Sequence, residues 1–179
     1  MIILIDLDGV VADFDRGVIE KIKKDYPEIK IIEPRNKMIL NFYKERDNKT
    51  YKIIEKIINS KGFIKNLKPI DGSKEALKYL LDKGYDVFIC SSPLSKNKHS
   101  FSEKFVWILE NLGEEWRKRL IITKDKTLIK GDILIDDKPD IKGLLTPHWE
   151  HVIFDQQHNK EIIDKKRINW DNFKDVLKL

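Results

Sequence analysis

Five short apolar runs constrain this chain most: residues 2–5 (IILI), 86–90 (DVFIC), 119–123 (RLIIT), 132–135 (DILI) and 151–154 (HVIF). Each is bounded by charged or turn residues and is too short for a stable helix, so each reads as a buried strand. Helical patterns lie between several of them. Leu77, Leu80 and Leu81 share a face after Asp71-Gly72-Ser73, and Gly84 ends that pattern. Phe101, Phe105, Ile108, Leu109 and Leu112 form another stripe, opened by Ser100 and Glu103 as a capping box and closed by Gly113. The terminal WDNFKDVLKL places Trp170, Phe173, Val176 and Leu177 on one side of a last helix. Strands alternating with helices predict an α/β domain with a mainly parallel sheet.

The first two strands are separated by roughly 80 residues, where a parallel crossover needs only a dozen or so. The helix over 71–83 is enough for that crossover, which leaves residues 16–66 surplus to the sheet. Within them Val18, Ile19, Ile22 and Ile53, Ile54, Ile57, Ile58 recur at helical spacing, with IIEPRNK between the two groups. The expected organisation is a core formed by 1–15 and 67–179, carrying a small helical cap over 16–66. Such a cap would sit over the carboxyl ends of the strands, where open α/β sheets bind ligands.

Those strand ends carry the chemistry. In ILIDLDGVVADFD an extended backbone turns Asp6 and Asp8 to the same side, and Gly9 permits a sharp turn. Two carboxylates that close repel each other unless a counter-charge intervenes. A hard divalent cation such as Mg2+, shared with substrate phosphate oxygens, resolves the conflict. Asp136 and Asp137 follow the strand at 132–135 and would converge on the same ion if the two strands are neighbours. Ser91 and Ser92 end the second strand, and Lys126 lies just past the third. A hydroxyl and an ammonium at those ends would bind and neutralise a phosphoryl group. Asp13 and Asp15 lie beyond the turn and read as helix-entry residues. His148, His151 and His158 lack a zinc-ligand pattern, Trp107 and Trp149 read as packing residues, and Cys90, the single cysteine, reads as a small strand hydrophobe.

The ordered set Asp-x-Asp-Gly-Val, Ser, Lys and Asp-Asp, each at a strand end, resembles the four motifs of the haloacid dehalogenase superfamily. DLDGVVADF, VFICSSP, TKDKT, GDILIDDKPDI and WEHVIFDQQHN resemble, in order, segments of its 5′(3′)-deoxyribonucleotidase branch, from residue 2 to about residue 159. The resemblance implies a Rossmann-like core and a phosphomonoesterase acting through an aspartyl-phosphate. It makes Asp6 the nucleophile and Asp8 the general acid and then base. Asp6, Asp137 and the Asp8 carbonyl would hold Mg2+, with Asp136 supporting the metal shell. Ser91, Ser92 and Lys126 would bind the phosphoryl group, and Phe14 would line the substrate pocket. The chain departs from the branch's animal members in having Ser91 for threonine and Lys138 for arginine. The cap segments NKMILNFY and KIINSKGF also lack the tryptophans that meet the nucleobase there. Phe42, Tyr43 and Phe63 are candidates to replace them, with cap packing as the competing reading.

The expected substrate is a nucleotide or another small phosphate ester; a sugar phosphate is the alternative, because the cap differs. A phospho-accepting receiver uses similar groups, but places its phosphorylated Asp on a middle strand, where this chain has Ser91. A nucleic-acid-binding module would concentrate its basic residues. Here the +5 formal charge comes from lysines dispersed among acids in a chain that is 36% charged, so no nucleic-acid polymer is expected. No apolar run reaches the roughly 18 residues of a membrane span, and the amino terminus shows no leader, so a cytoplasmic protein is expected. A homodimer is compatible with the sequence.

Overall fold

The computed structural model describes residues 1–34 and 37–179, so Arg35 and Asn36 of the IIEPRNK connection lie outside the described residues. All five apolar runs form strands: β1 (Ile2–Ile5), β2 (Asp86–Ser91), β3 (Leu120–Ile122), β4 (Ile133–Asp136) and β5 (Glu150–Phe154). A sixth, β6 (Arg167–Ile168), is too short to leave a periodic signal. Every pairing is parallel, in the order β3-β2-β1-β4-β5-β6. The chain therefore builds outward from β1 in one direction through β3, then restarts at β4 on its other side. β1 and β4 flank the point where strand order reverses, which is where a crevice opens at the carboxyl ends.

Both faces of the sheet are covered, which is why the strands are apolar throughout instead of alternating. Ile3, Ile5, Val87, Ile89, Ile133 and Ile135 face the main core. There they meet Leu77 and Leu80 of α4 (Ser73–Asp82), Trp107 and Ile108 of α5 (Ser100–Leu112) and Phe173 of α6 (Phe173–Leu177). Leu4, Cys90 and Leu134 pack with Trp149 on the opposite face. Burial pushes the Cys90 thiol up to about 11, in keeping with a packed hydrophobe. Between β1 and α4 lie α1 (Phe14–Asp25), α2 (Ile39–Arg46) and α3 (Asn48–Ile58). Val18, Ile22, Ile54, Ile57 and Ile58 of these helices join the main core, so apolar packing runs without a break from the insertion to the sheet.

Three local expectations need correction. Ser100 and Glu103 do not form a capping box: His99 is the N-cap, without a side-chain cap bond. Ser100 Oγ instead accepts the Leu94 amide, and the Glu103 carboxylate is drawn to the amides of Gly62, Ile64 and Lys65. The buried stripe of α5 is rotated from the expected one, running through Lys104, Trp107 and Ile108 and leaving Phe101 58% exposed. The last helix is a five-residue segment, and Trp170 packs ahead of it, its Nε1 donating to the Val10 carbonyl. Among the described residues, no helix is long and apolar enough to cross a membrane.

Candidate active site

Asp6 continues β1 by one residue, its amide donating to the Ile135 carbonyl of β4 at 2.9 Å. That bond fixes it beside Asp136, the last residue of β4. Beyond Asp8 the chain reverses at Gly9, whose φ of +82° lies in the left-handed region. A Cβ there would also collide with the Asp137 carboxylate, so the same glycine serves the turn and the approach of the two acidic segments. The amides of Val11 and Ala12 close the loop onto the Leu7 carbonyl, and Gln156 Nε2 donates to the Gly9 carbonyl at 2.7 Å.

The four acids sit in different surroundings. Asp6 is buried, with Oδ1 accepting the Leu7 amide at 2.8 Å and lying 2.9 Å from Lys126 Nζ. Burial alone would raise its carboxyl, but Lys126, with Lys138 and Lys104 farther off, outweighs this and holds it at about 2. Asp136, wholly buried, lies 2.6 Å from the same Lys126 ammonium and accepts the Lys138 amide. Lys126 stands on a 3₁₀ turn, Lys126–Leu128, whose start is held by the Asp125 carboxylate accepting the Thr127 amide. Against burial, Asp6 and Asp136 raise the Lys126 ammonium above its usual range.

Asp137 is the poorly compensated acid. Its Oδ2 lies 3.2 Å from His158 Nε2, while its Oδ1 is buried without a partner. Burial, reinforced by Asp136 and Asp6 against the opposing His158 contact, pushes this carboxyl up to about 6. Asp6, Asp136 and Asp137 each offer an oxygen, and the three lie within 4.8 Å of one another. Buried carboxylates so close, one with an unsatisfied oxygen, fit a hard divalent cation with oxygen ligands.

Asp8 lies in the loop two residues beyond Asp6, its side chain 17% exposed. Oδ2 lies 2.6 Å from Lys104 Nζ, and Oδ1 has no partner. Ser91 is buried at the end of β2, its Oγ accepting from Lys104 Nζ at 2.9 Å, and Ser92 is half-buried next to it. Phe14 opens α1, 5% exposed, and packs edge-on against Phe63 at 5.3 Å. Asp13 caps α1 by accepting the Arg16 amide. Asp15, in the first turn, instead accepts the Ile39 amide at 3.4 Å, reaching the start of α2. A cleft of about 680 Å3 opens between α1 and the 156–158 segment, lined in part by Asp15, Lys37, Gln156 and His158.

The structure thus brings Asp6, Asp136, Asp137 and Lys126 together, joins Asp8 to Ser91 through Lys104, and adds two residues that sequence reasoning missed. Lys104 is one; its only signal is a position three and four residues before Trp107 and Ile108, on the buried stripe. His158 is the other, read as lacking a metal-ligand pattern, yet placed against Asp137 by the turn after β5.

The model of the family described as "5' nucleotidase, deoxy (Pyrimidine), cytosolic type C protein" matches residues 1–179. A Bordetella bronchiseptica relative is 40% identical over 177 residues, covering 99% of this chain and 95% of that one. The human cytosolic-type 5′(3′)-deoxyribonucleotidase is 33% identical over 185 residues, covering 98% and 92%. Among solved structures, a haloacid dehalogenase family hydrolase of Deinococcus radiodurans, with bound phosphate and sodium, covers 98% of this chain and 93% of its own. Its TM-score of 0.61 at 13% identity shows a shared haloacid dehalogenase fold. With the model matching end to end and the relatives covering nearly all of it, this chain belongs to the cytosolic type C 5′-deoxynucleotidase family.

Proposed function

We propose that the protein is a Mg2+-dependent phosphomonoesterase that hydrolyses deoxyribonucleoside monophosphates, a reading supported by its human relative, which is named a 5′(3′)-deoxyribonucleotidase. The observation that carries the reading is the meeting of Asp6, Asp136 and Asp137 beside Lys126, with one Asp137 oxygen unsatisfied. Asp6, Asp137 and the Asp8 carbonyl would hold Mg2+, with Asp136 supporting the metal shell. When bound, the ion supplies Lewis-acid neutralisation of the carboxylates and of the phosphoryl oxygens.

In the proposed reaction an Asp6 oxygen attacks phosphorus, and the bond to the ester oxygen breaks as Asp8 gives that oxygen its proton. The products are the free alcohol and an aspartyl-phosphate. Asp8, now a carboxylate, removes a proton from water; the water oxygen attacks phosphorus, the Asp6–phosphorus bond breaks, and phosphate leaves. Lys126, Ser91 and Ser92 bind the transferring oxygens, where fixed donors stabilise developing charge. We assign residues 16–66 the role of a cap over this centre, with Phe14 at the substrate pocket.

A second reading keeps this chemistry and changes the leaving group to a sugar. It is favoured by the burial of Phe14, Tyr43 and Phe63, each at most 6% exposed, because buried rings offer no free face to a base. The Tyr43 hydroxyl is also engaged, accepting the Ile32 amide at 2.6 Å. Phosphate release from a panel of deoxynucleotides and sugar phosphates, with Mg2+ and with EDTA, separates these readings. The first expects Mg2+-dependent release that is fastest from dUMP or dTMP. Faster release from a sugar phosphate selects the second reading, and no release from any ester rejects both.

A further inference from the structure

Lys104 lies in the middle of α5 with no exposed surface. Taking an ammonium fully out of water is costly unless charge-assisted hydrogen bonds replace its hydration, and a site needing only bulk is filled as well by Met or Leu. Its two bonds go to Asp8 Oδ2 at 2.6 Å, in the loop after β1, and to Ser91 Oγ at 2.9 Å, at the end of β2. Asp8 has no other side-chain partner among the described residues, since its Oδ1 is unpaired. The helix behind Lys104 is itself pinned: Glu103 accepts amides from 62–65, and Trp107 Nε1 donates to the Leu67 carbonyl at 2.8 Å.

We propose that Lys104 is a positioning residue that fixes the acid/base Asp8 relative to the phosphoryl-binding Ser91, so that Asp8 delivers its proton at the ester oxygen. This rests on the function proposed above. Nucleophilic attack by Asp6, whose carboxylate keeps Lys126 at 2.9 Å, depends less on Lys104 than does protonation of the departing oxygen. A nucleotide or sugar leaves as an alkoxide that must be protonated, whereas nitrophenolate is stable without a proton. Losing Lys104 should therefore penalise the two kinds of ester unequally.

The test compares kcat/KM, which reports steps through phosphoryl transfer, for dUMP and p-nitrophenyl phosphate in wild type and Lys104→Met. We expect a loss of about 100-fold on dUMP and of less than about 10-fold on p-nitrophenyl phosphate, the range of a misplaced general acid. Equal losses on both esters, or none on dUMP, would overturn the proposal. If Lys104→Met does not fold, Lys104→Gln is put to the same comparison. In Lys104→Ala, recovery of dUMP hydrolysis by ethylamine but not by ethanol supports the role; an equal response to both, or to neither, counts against it. Failure of the nucleotidase reading is seen separately, in the wild type: if it prefers another alkyl phosphate, that ester replaces dUMP in the ratio.

Discussion

At the scale of single residues, Gly9 carries two demands at once. Its φ of +82° strains any L side chain, and a Cβ would displace Asp137 from the acidic cluster. Gly9→Ala should cost about 1–3 kcal/mol in urea unfolding from backbone strain, and phosphate release should fall with it, because the carboxylate that moves is one proposed to bind the metal. Unchanged stability and activity would show that the loop adapts freely. Which residues were legible follows from where they sit. Asp6, Ser91 and Asp136 end apolar runs, so strand geometry alone brings them to one edge. Lys104 and His158 come from a helix and a turn, and only tertiary packing carries them there. In a chain with 35 lysines and arginines, one more lysine on a charged helix gives no signal by composition.

At the scale of elements, α5 explains why a local rule failed. Ser100 and Glu103 have the spacing of a capping box, but the Glu103 carboxylate has three amides of the 62–65 turn within reach. Satisfying those donors, of which the Ile64 amide is buried, outweighs capping its own helix. The consequence is that one helix holds the end of the inserted segment through Glu103 and the site through Lys104. Glu103→Gln keeps the volume but loses an acceptor oxygen, and should destabilise the protein by about 1–3 kcal/mol. Hydrogen exchange should rise more at the amides of Gly62, Ile64 and Lys65 than in β1, where it should rise by no more than the loss of global stability. Protection equal to that of the wild type at those three amides would show that the carboxylate does not hold them. The strands and the long insertion were readable because apolar runs and chain length are one-dimensional signals. The rotation of α5, set by Trp107 meeting Leu67, was not.

At the scale of the whole molecule, the fold concentrates charge that it does not balance internally. Lys126 serves Asp6 and Asp136 together, and Asp137 keeps an unsatisfied oxygen. A cation that binds only the folded state stabilises it, by about 2.7 kcal/mol at a hundred times its Kd. Adding Mg2+ without substrate should therefore raise the melting temperature, and Asp137→Asn should abolish that rise while remaining folded. An equal rise in the variant would place the ion elsewhere. In the proposed reaction Asp6 takes up the phosphoryl group. The most direct measurement is to quench the wild-type protein with acid during turnover of dUMP and Mg2+ and to map phosphorylation by mass spectrometry. We expect one hydroxylamine-labile phosphoryl group on Asp6, with neither phosphoprotein nor phosphate release in Asp6→Asn. Sustained phosphate release with Asp6 unmodified, and undiminished in Asp6→Asn, would contradict it.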